Sequence, residues 1–450
     1  IARSGTREFI QQLTESRGNL TEAMIGQFGL GFYSTFMVTD QVTIETCHAS
    51  ADSRGYRWVS DGEGTFTVEE IDRTTRGTKI SFTLKESSQE FADEYRIRQI
   101  IRKYSNFADF PIYVGDEKVN TVTPLWQKPK NEIGEEELVE FYKFMANDVE
   151  PPLGHLHASL EGAVNFKALL FVPSRAPLNL MYTIREEKSL HLYSSRVLIQ
   201  DDARELLPEY LRFVKGVVDT TDLPLNVSRE VTQASPAMAK IRHQLTRKVI
   251  DLLEDWADTQ KDKYLVFYRN YGSLLKTGIT SDFEHRERLI GLLRFETTRT
   301  EADSPVSLKE YTLRMKPDQK EIYYLSGEDR TMLSRNPNLE YFHKNDIEVL
   351  LLTDPADIFT VPSIGEYEGR QLKSIEHADL EPLKKEEKKI EAPEDKLSAS
   401  LLDVFKATLA ERVENVRESK RLVDSPVTLV VGEKGMDTQL EKMMKMMDKS

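Results

Sequence analysis

The chain has 450 residues, 39% of them hydrophobic and 30% charged, with a net charge of −14. That length exceeds one hydrophobic core and sets an expectation of about three domains. The acidic balance argues against broad nucleic-acid binding, which needs basic residues to neutralise phosphates. A single cysteine, Cys47, excludes an internal disulfide and fits a reducing compartment. No apolar run approaches the roughly 20 residues that span a bilayer, and no signal-peptide pattern opens the chain. The sequence begins at Ile1 and stops in mid-pattern at MMKMMDKS, so a piece cut at both ends is expected.

In chain order, SGTREFIQQLTESRG reads as a helix, and FYSTFMV as a second one behind a glycine-rich turn. Four alternating pieces follow, QVTIETC, GYRWVS, TFTVEEI and TKISFTL, separated by Gly, Asp and Ser turns. They predict an antiparallel meander with one wet face. Residues 93–106 place Ile97, Ile100, Ile101 and Tyr104 on one helical stripe, and the short strand FPIYVGD closes the region. A brief linker occupies 116–123.

A second region starts at PLWQKPKNEI. EIGEEELVEFYKFM predicts a helix whose glutamates suit its N-terminal dipole. Strands are expected at FKALLFVP and LHLYSSRVLI, and helices near ELLPEYLRFVKGVV and over 236–258. KEIYYLS and IEVLLLT, with helical stretches between, carry the βαβ signature of a parallel or mixed sheet. The charge-rich stretch 383–396 marks a boundary and reads as a solvated linker. Helix 397–416, the strand SPVTLVV and a Met-rich helix complete a multidomain α/β chain.

IGQFGLGFYS, with Gly26, Gly29 and Gly31, poses the chemical question. Phosphate loops use glycine because side chains would block the approach of backbone N–H groups to phosphate oxygens. The order here is G-x-x-G-x-G; no Lys-Ser/Thr follows Gly31, and the dinucleotide order is reversed. On spacing alone, a packing turn and an ATP loop both stand. In DLPLNVSREVTQ, Leu223, Leu225 and Val227 alternate as in a buried extended segment, leaving Asn226, Ser228 and Arg229 opposite. By itself the Arg229–Glu230 step reads as a surface ion pair. His155 and His157 read as a strand pair rather than a metal site, because no third ligand is recognisable. Cys47, at a strand end, reads as a packed thiol.

The wording of these stretches closely resembles the heat-shock protein 90 (Hsp90) chaperones, members of the GHKL ATPase superfamily. The resemblance rests on IARSGTREF, IGQFGLGFYSTFMVTD, RGTKISFTL, RIRQIIRKYSNFADFPIYV, PLWQKPK, FKALLFVPSRAPLNL, LIQDDARELLPEYLRFVKGVVDTTDLPLNVSRE, LLRFETT and SLKEYTLRMKPDQKEIYYLSG, in that order. The short linker, without a long acidic insert, resembles the bacterial type or an organellar relative. The resemblance implies a partial N-terminal α/β sandwich of GHKL (Bergerat) type over 1–115, a middle α/β domain over 124–380 and a partial C-terminal dimerisation domain over 381–450.

It further implies ATP with Mg²⁺, held by Gly26, Gln27, Phe28, Gly29, Leu30, Gly31 and Phe32 around the phosphates. Arg3, Ser4, Gly5 and Thr6 would begin a lid, and Thr78 would reach the adenine through water, against the plain reading of a threonine paired across a sheet. Arg229 would reach the γ-phosphate with Gln233 as helper, making hydrolysis depend on domain closure. The family's water-activating glutamate, metal-holding asparagine and adenine-reading aspartate are expected ahead of Ile1, so no general base is named. Client contacts are implied at exposed Trp126, at Leu178 and Met181, and on the stripe Met436, Leu440, Met443 and Met444; ordinary core packing is the alternative for all of them.

The whole implies an ATP-dependent, homodimeric, cytoplasmic chaperone clamp for partly folded proteins, with co-chaperones possible and neither nucleic acid nor membrane as partner. A mismatch-repair or topoisomerase-type GHKL ATPase is disfavoured by the acidic charge and by SREVTQ. A non-catalytic scaffold is the third reading.

Overall fold

The computed structural model describes residues 31–50, 52–108, 110–121, 124–177, 190–223, 235–377, 396–409, 412–419 and 421–431. The chain divides into two compact units, Ile1–Val249 and Ile250–Ser450.

The first unit opens with a four-stranded antiparallel sheet of β1 (Val42–Cys47), β2 (Gly55–Ser60), β3 (Phe66–Ile71) and β4 (Gly77–Phe82), the strands expected from the alternation. Their order is β3-β2-β1-β4, which corrects the meander: β4 returns to the free edge of β1. Residues 72–76 make the crossing, and at roughly 3.3 Å per residue they can span three strand spacings of about 4.8 Å. They run against Gly55, where a Cβ would sit 2.7 Å from that of Arg73 and 2.8 Å from its carbonyl. Only glycine fits beneath the crossing.

The register aligns Trp58, Ile44 and Ile80 in one row of this sheet, and Tyr56, Thr46 and Thr78 in the next row on the same face. The opposite face is charged. Arg57 donates to Glu45 at 2.8 Å and to Glu69 at 2.7 Å, a cross-strand ladder on the wet side. Helix α1 (Glu94–Tyr104) follows, its first turn capped by the Asp93 carboxylate, which accepts from Tyr95 and Arg96 N–H. Ile97, Ile100 and Ile101 are half-buried, while Tyr104 is exposed. The hairpin β5 (Tyr113–Val114) and β6 (Glu117–Lys118) comes next.

Helix α2 (Glu135–Ala146) buries Leu138, Phe141 and Tyr142. These pack with the second sheet, β7 (Pro152–Leu160), β8 (Phe166–Pro173), β9 (Leu190–Ser194), β10 (Val197–Gln200) and β11 (Lys215–Thr220), in the order β10-β9-β11-β8-β7. The helix expected near ELLPEYLRFVKGVV is not formed. Two short 3₁₀ turns, Arg204–Leu206 and Glu209–Leu211, flank Pro208 and lead into β11. Proline lacks the N–H a helix interior needs, and Val217 and Val218 suit a strand. Gly216 has φ +147°, and a Cβ there would meet the Leu169 carbonyl at 2.4 Å.

Helix α3 (Pro236–Thr259) runs across the division between the units. The second unit adds α4 (Lys261–Ser281), α5 (Arg286–Leu292), α6 (Leu308–Arg314), α7 (Arg330–Ser334), α8 (Glu340–Lys344) and α9 (Asp357–Ile364). They accompany a mixed sheet of β12 (Glu296–Thr297), β13 (Glu321–Ser326), β14 (Val349–Leu352), β15 (Glu366–Tyr367) and β16 (Arg370–Ser374), ordered β12-β14-β13-β16-β15. β13 pairs in parallel with β14 and β16, as the βαβ pattern predicts. Helix α10 (Lys396–Leu409) is shorter than expected. SPVTLVV makes a single bridge, Val431 to His377, rather than a strand.

Helix α6 begins with a capping box: Ser307 Oγ accepts from Glu310 N–H, and Glu310 accepts from Ser307 N–H at 2.9 Å. Burial opposes the Glu310 charge, but the Ser307 N–H, the Lys261 ammonium and the Ser307 hydroxyl outweigh it and lower its pKa from 4.5 to about 2. This contribution is complete above about 4.5 and is lost as pH falls through about 2. Glu310→Ala should lower stability by about 1 kcal/mol at pH 7. The loss should shrink toward pH 2, as read by urea denaturation at both pH values.

Candidate functional site

Two sequence-predicted nucleotide residues, Phe32 and Thr78, lie on the same face of the first sheet. The Phe32 ring meets the Trp58 ring edge-on at 5.6 Å between centroids. Thr78 stands on that same face, one row beyond Ile80. The end of the glycine loop and Thr78 therefore share one surface. A Cβ at Gly31 would meet no described atom within 4 Å. Thr78 Oγ1 lies 2.9 Å from Thr46 Oγ1, an exposed cross-strand hydroxyl pair. Arg3, Ser4, Gly5, Thr6, Gly26, Gln27, Phe28, Gly29 and Leu30 lie outside the described residues, as do Leu178, Met181, Met436, Leu440, Met443 and Met444.

Arg229 and Gln233 also lie outside them, but the elements on either side are described. β11 leads toward this segment and its end is pinned. Thr220 Oγ1 donates to the Asn165 carbonyl at 2.7 Å, and Asp222 accepts from Asn165 N–H at 2.6 Å and from its amide at 3.0 Å. Leu223 on one side and Ser235 on the other are buried.

Trp126 requires a correction. It is 0% exposed rather than client-facing, with its ring 4.6 Å from Phe107 and 5.1 Å from Tyr193. The apolar ring fills the core between α2 and the second sheet, and its one polar atom is satisfied: Nε1 donates to Asp219 Oδ2 at 2.9 Å. Gln127 Nε2 donates to the same oxygen at 3.0 Å, and Arg196 N–H to Oδ1 at 3.3 Å. Lys167 in turn donates to Gln127 Oε1 at 2.8 Å. His157 Nε2 donates to the Trp126 carbonyl at 3.2 Å, and burial lowers its pKa and favours the neutral ring. Cys47 is buried, as expected.

Asp219, Gln127 and Asn165 went unrecognised in the sequence. The available signal is the aspartate interrupting an apolar strand in KGVVDTTD, since a buried carboxylate demands donors. Trp126→Ala should destabilise by about 3–5 kcal/mol as a large-to-small core change. A residue on an exposed edge would lose well under about 1 kcal/mol. Asp219→Leu, which strands the indole and amide donors, should lose roughly 2–4 kcal/mol. Urea titration followed by circular dichroism measures both.

Residues 114–450 match the Hsp90 protein family. The chain is 55% identical over 449 residues to the chaperone protein HtpG of Chlorobium luteolum, which covers 99% of this chain and 72% of that one. With the chaperone protein HtpG of Geobacter metallireducens, identity is 42% over 478 residues, covering 100% of this chain and 73% of the other. The HtpG of Nitrosospira multiformis is 42% identical over 470 residues, covering 99% and 73%. The chain therefore belongs to the Hsp90 family and is a chaperone of the HtpG type.

Proposed function

We propose that this chaperone works as an ATP-gated clamp on partly folded proteins. Family membership supports ATP as its nucleotide. Gly26 to Phe32 would wrap the phosphates through backbone N–H groups, behind a lid begun by Arg3, Ser4, Gly5 and Thr6. Mg²⁺ would neutralise the phosphates. The observation that carries this reading is the placement of Phe32 and Thr78 on one face of the first sheet.

Arg229 is the proposed catalytic cation. Phosphoryl transfer spreads charge over the equatorial oxygens, and a desolvated guanidinium stabilises that charge more than the ground state. Gln233 would orient it. Supply of this cation from a segment outside the nucleotide sheet makes turnover depend on closure. The proposed domains are a nucleotide domain over 1–115, a linker over 116–123, a middle domain over 124–380 and a C-terminal dimerisation domain over 381–450. Clients would meet Leu178, Met181 and the stripe of Met436, Leu440, Met443 and Met444. A cytoplasmic setting is supported by the single cysteine, and no helix among the described residues is long and apolar enough to cross a membrane.

Arg229→Ala should leave ATP affinity within about twofold and slow hydrolysis by one or more orders of magnitude. Calorimetry and steady-state turnover measure the two quantities, and equal losses in both would make Arg229 structural. The Thr46–Thr78 hydroxyl pair favours a second, purely structural role for Thr78. Thr78→Val should weaken ATP binding at least fivefold if Thr78 reaches the adenine, and leave it unchanged if the pair only joins strands.

A further inference from the structure

A cavity of about 710 Å³ opens in the first unit, and no residue of the first sheet lines it. Its floor is aromatic and aliphatic: Phe107, Phe141, Tyr193, Leu198 and Val217, all buried. The end of α1, the end of α2, the exit of β8 and the strands β9 to β11 frame it. The volume falls in the range of small-molecule sites, which combine apolar walls with a few placed polar groups.

The charged lining is unusual for this chain. Arg102, Lys103, Arg175 and Lys215 stand around the cavity against Asp148, Glu150 and Asp201, so the lining is net positive on a protein of net charge −14. Each carboxylate already has a partner. Asp201 meets Lys103 at 3.3 Å, Glu150 meets Arg175 at 3.5 Å, and Asp148 accepts from Tyr142 OH at 2.6 Å. With the Lys103–Asp201 and Arg175–Glu150 pairs neutralised, Arg102 and Lys215 outnumber Asp148 and leave the lining with a net charge of +1. Aromatic floor and cationic mouth are complementary to one chemistry, a flat ring bearing an anionic substituent.

We propose that this cavity is a binding site for a small aromatic anion, held by ring contacts on Phe141 and Tyr193 and by the guanidinium groups of Arg102 and Arg175. Both arginines are exposed and can be reversed without opening the core.

The probe is 8-anilinonaphthalene-1-sulfonate, an aromatic sulfonate whose fluorescence rises in apolar surroundings, beside its uncharged analogue N-phenyl-1-naphthylamine. One saturable sulfonate site per chain is expected. The double variant Arg102→Glu, Arg175→Glu should weaken the sulfonate at least tenfold and change the uncharged analogue less than twofold. Ala146→Trp, which adds bulk to the lining, should weaken both. Sulfonate binding that ignores both variants, or that never saturates at one per chain, overturns the proposal. So does equal weakening of both probes by the arginine reversal, since that would mark an apolar pocket without charge selection.

Discussion

One buried carboxylate organises the first unit. Asp219 sits on β11, which lies between β9 and β8, and accepts from the Trp126 indole, the Gln127 amide and the Arg196 backbone. Removing a carboxylate from water is tolerable only when donors replace the lost hydration. Here those donors come from PLWQ and from the β9–β10 turn, so one charge fixes three separate pieces of chain. Arg196 can supply its N–H because Ser195 and Arg196 both adopt positive φ, 49° and 65°, in the tight turn between the two strands. Each bond to such a charged group contributes roughly 1.5–3 kcal/mol, more than an average neutral one. The aromatic packing of Trp126 on Phe107 and Tyr193 then becomes a consequence of where its N–H must point.

The second unit handles buried charge differently. Lys276 on α4 meets Asp354 at 2.9 Å and Asp357 at 2.7 Å, with Ser273 donating to Asp354. Burial raises the Asp357 pKa to about 6, Lys276 pulling it down and Asp354 pushing it up. Burial likewise works against Asp354, but Lys276 and Ser273 lower it on balance. Two carboxylates sharing one ammonium are thus unequal, and the more enclosed one is the reluctant acid. Nearby, Glu348 accepts from Thr297 at 2.6 Å and from Arg314 at 2.6 and 3.0 Å. These ties join LLRFETT, SLKEYTLRM and IEVLLLT, segments far apart in sequence. Apolar packing would tolerate sliding between such elements; paired charges do not.

Much of this architecture was legible in the sequence where periodicity was strong. The first four strands alternate, and α3 repeats its apolar residues at helical spacing, so both were recognisable locally. Edge choice is not a local property. Nothing in TKISFTL distinguishes the β3 edge from the β1 edge; Gly55 decides it by admitting the crossing chain, which is visible only in space. β11 was missed because its apolar residues continue those of ELLPEYLRF at spacings that also suit a helix. The client-facing reading of Trp126 came from the resemblance, whereas the plain reading of an apolar residue as core holds, with its partner Asp219 found 93 positions away.

The nucleotide side was legible only through wording, because G-x-x-G-x-G has no unique physical interpretation. What geometry adds is a constraint on how the proposed cation could work. A guanidinium that must arrive at a phosphate within a fraction of an ångström needs fixed points on either side. Thr220 and Asp222, bonded to Asn165, hold one approach, and buried Ser235 at the start of α3 holds the other. The Asp219 cluster lies on the same strand, one residue before Thr220. The interaction that stabilises the core therefore also sets the platform from which Arg229 would act.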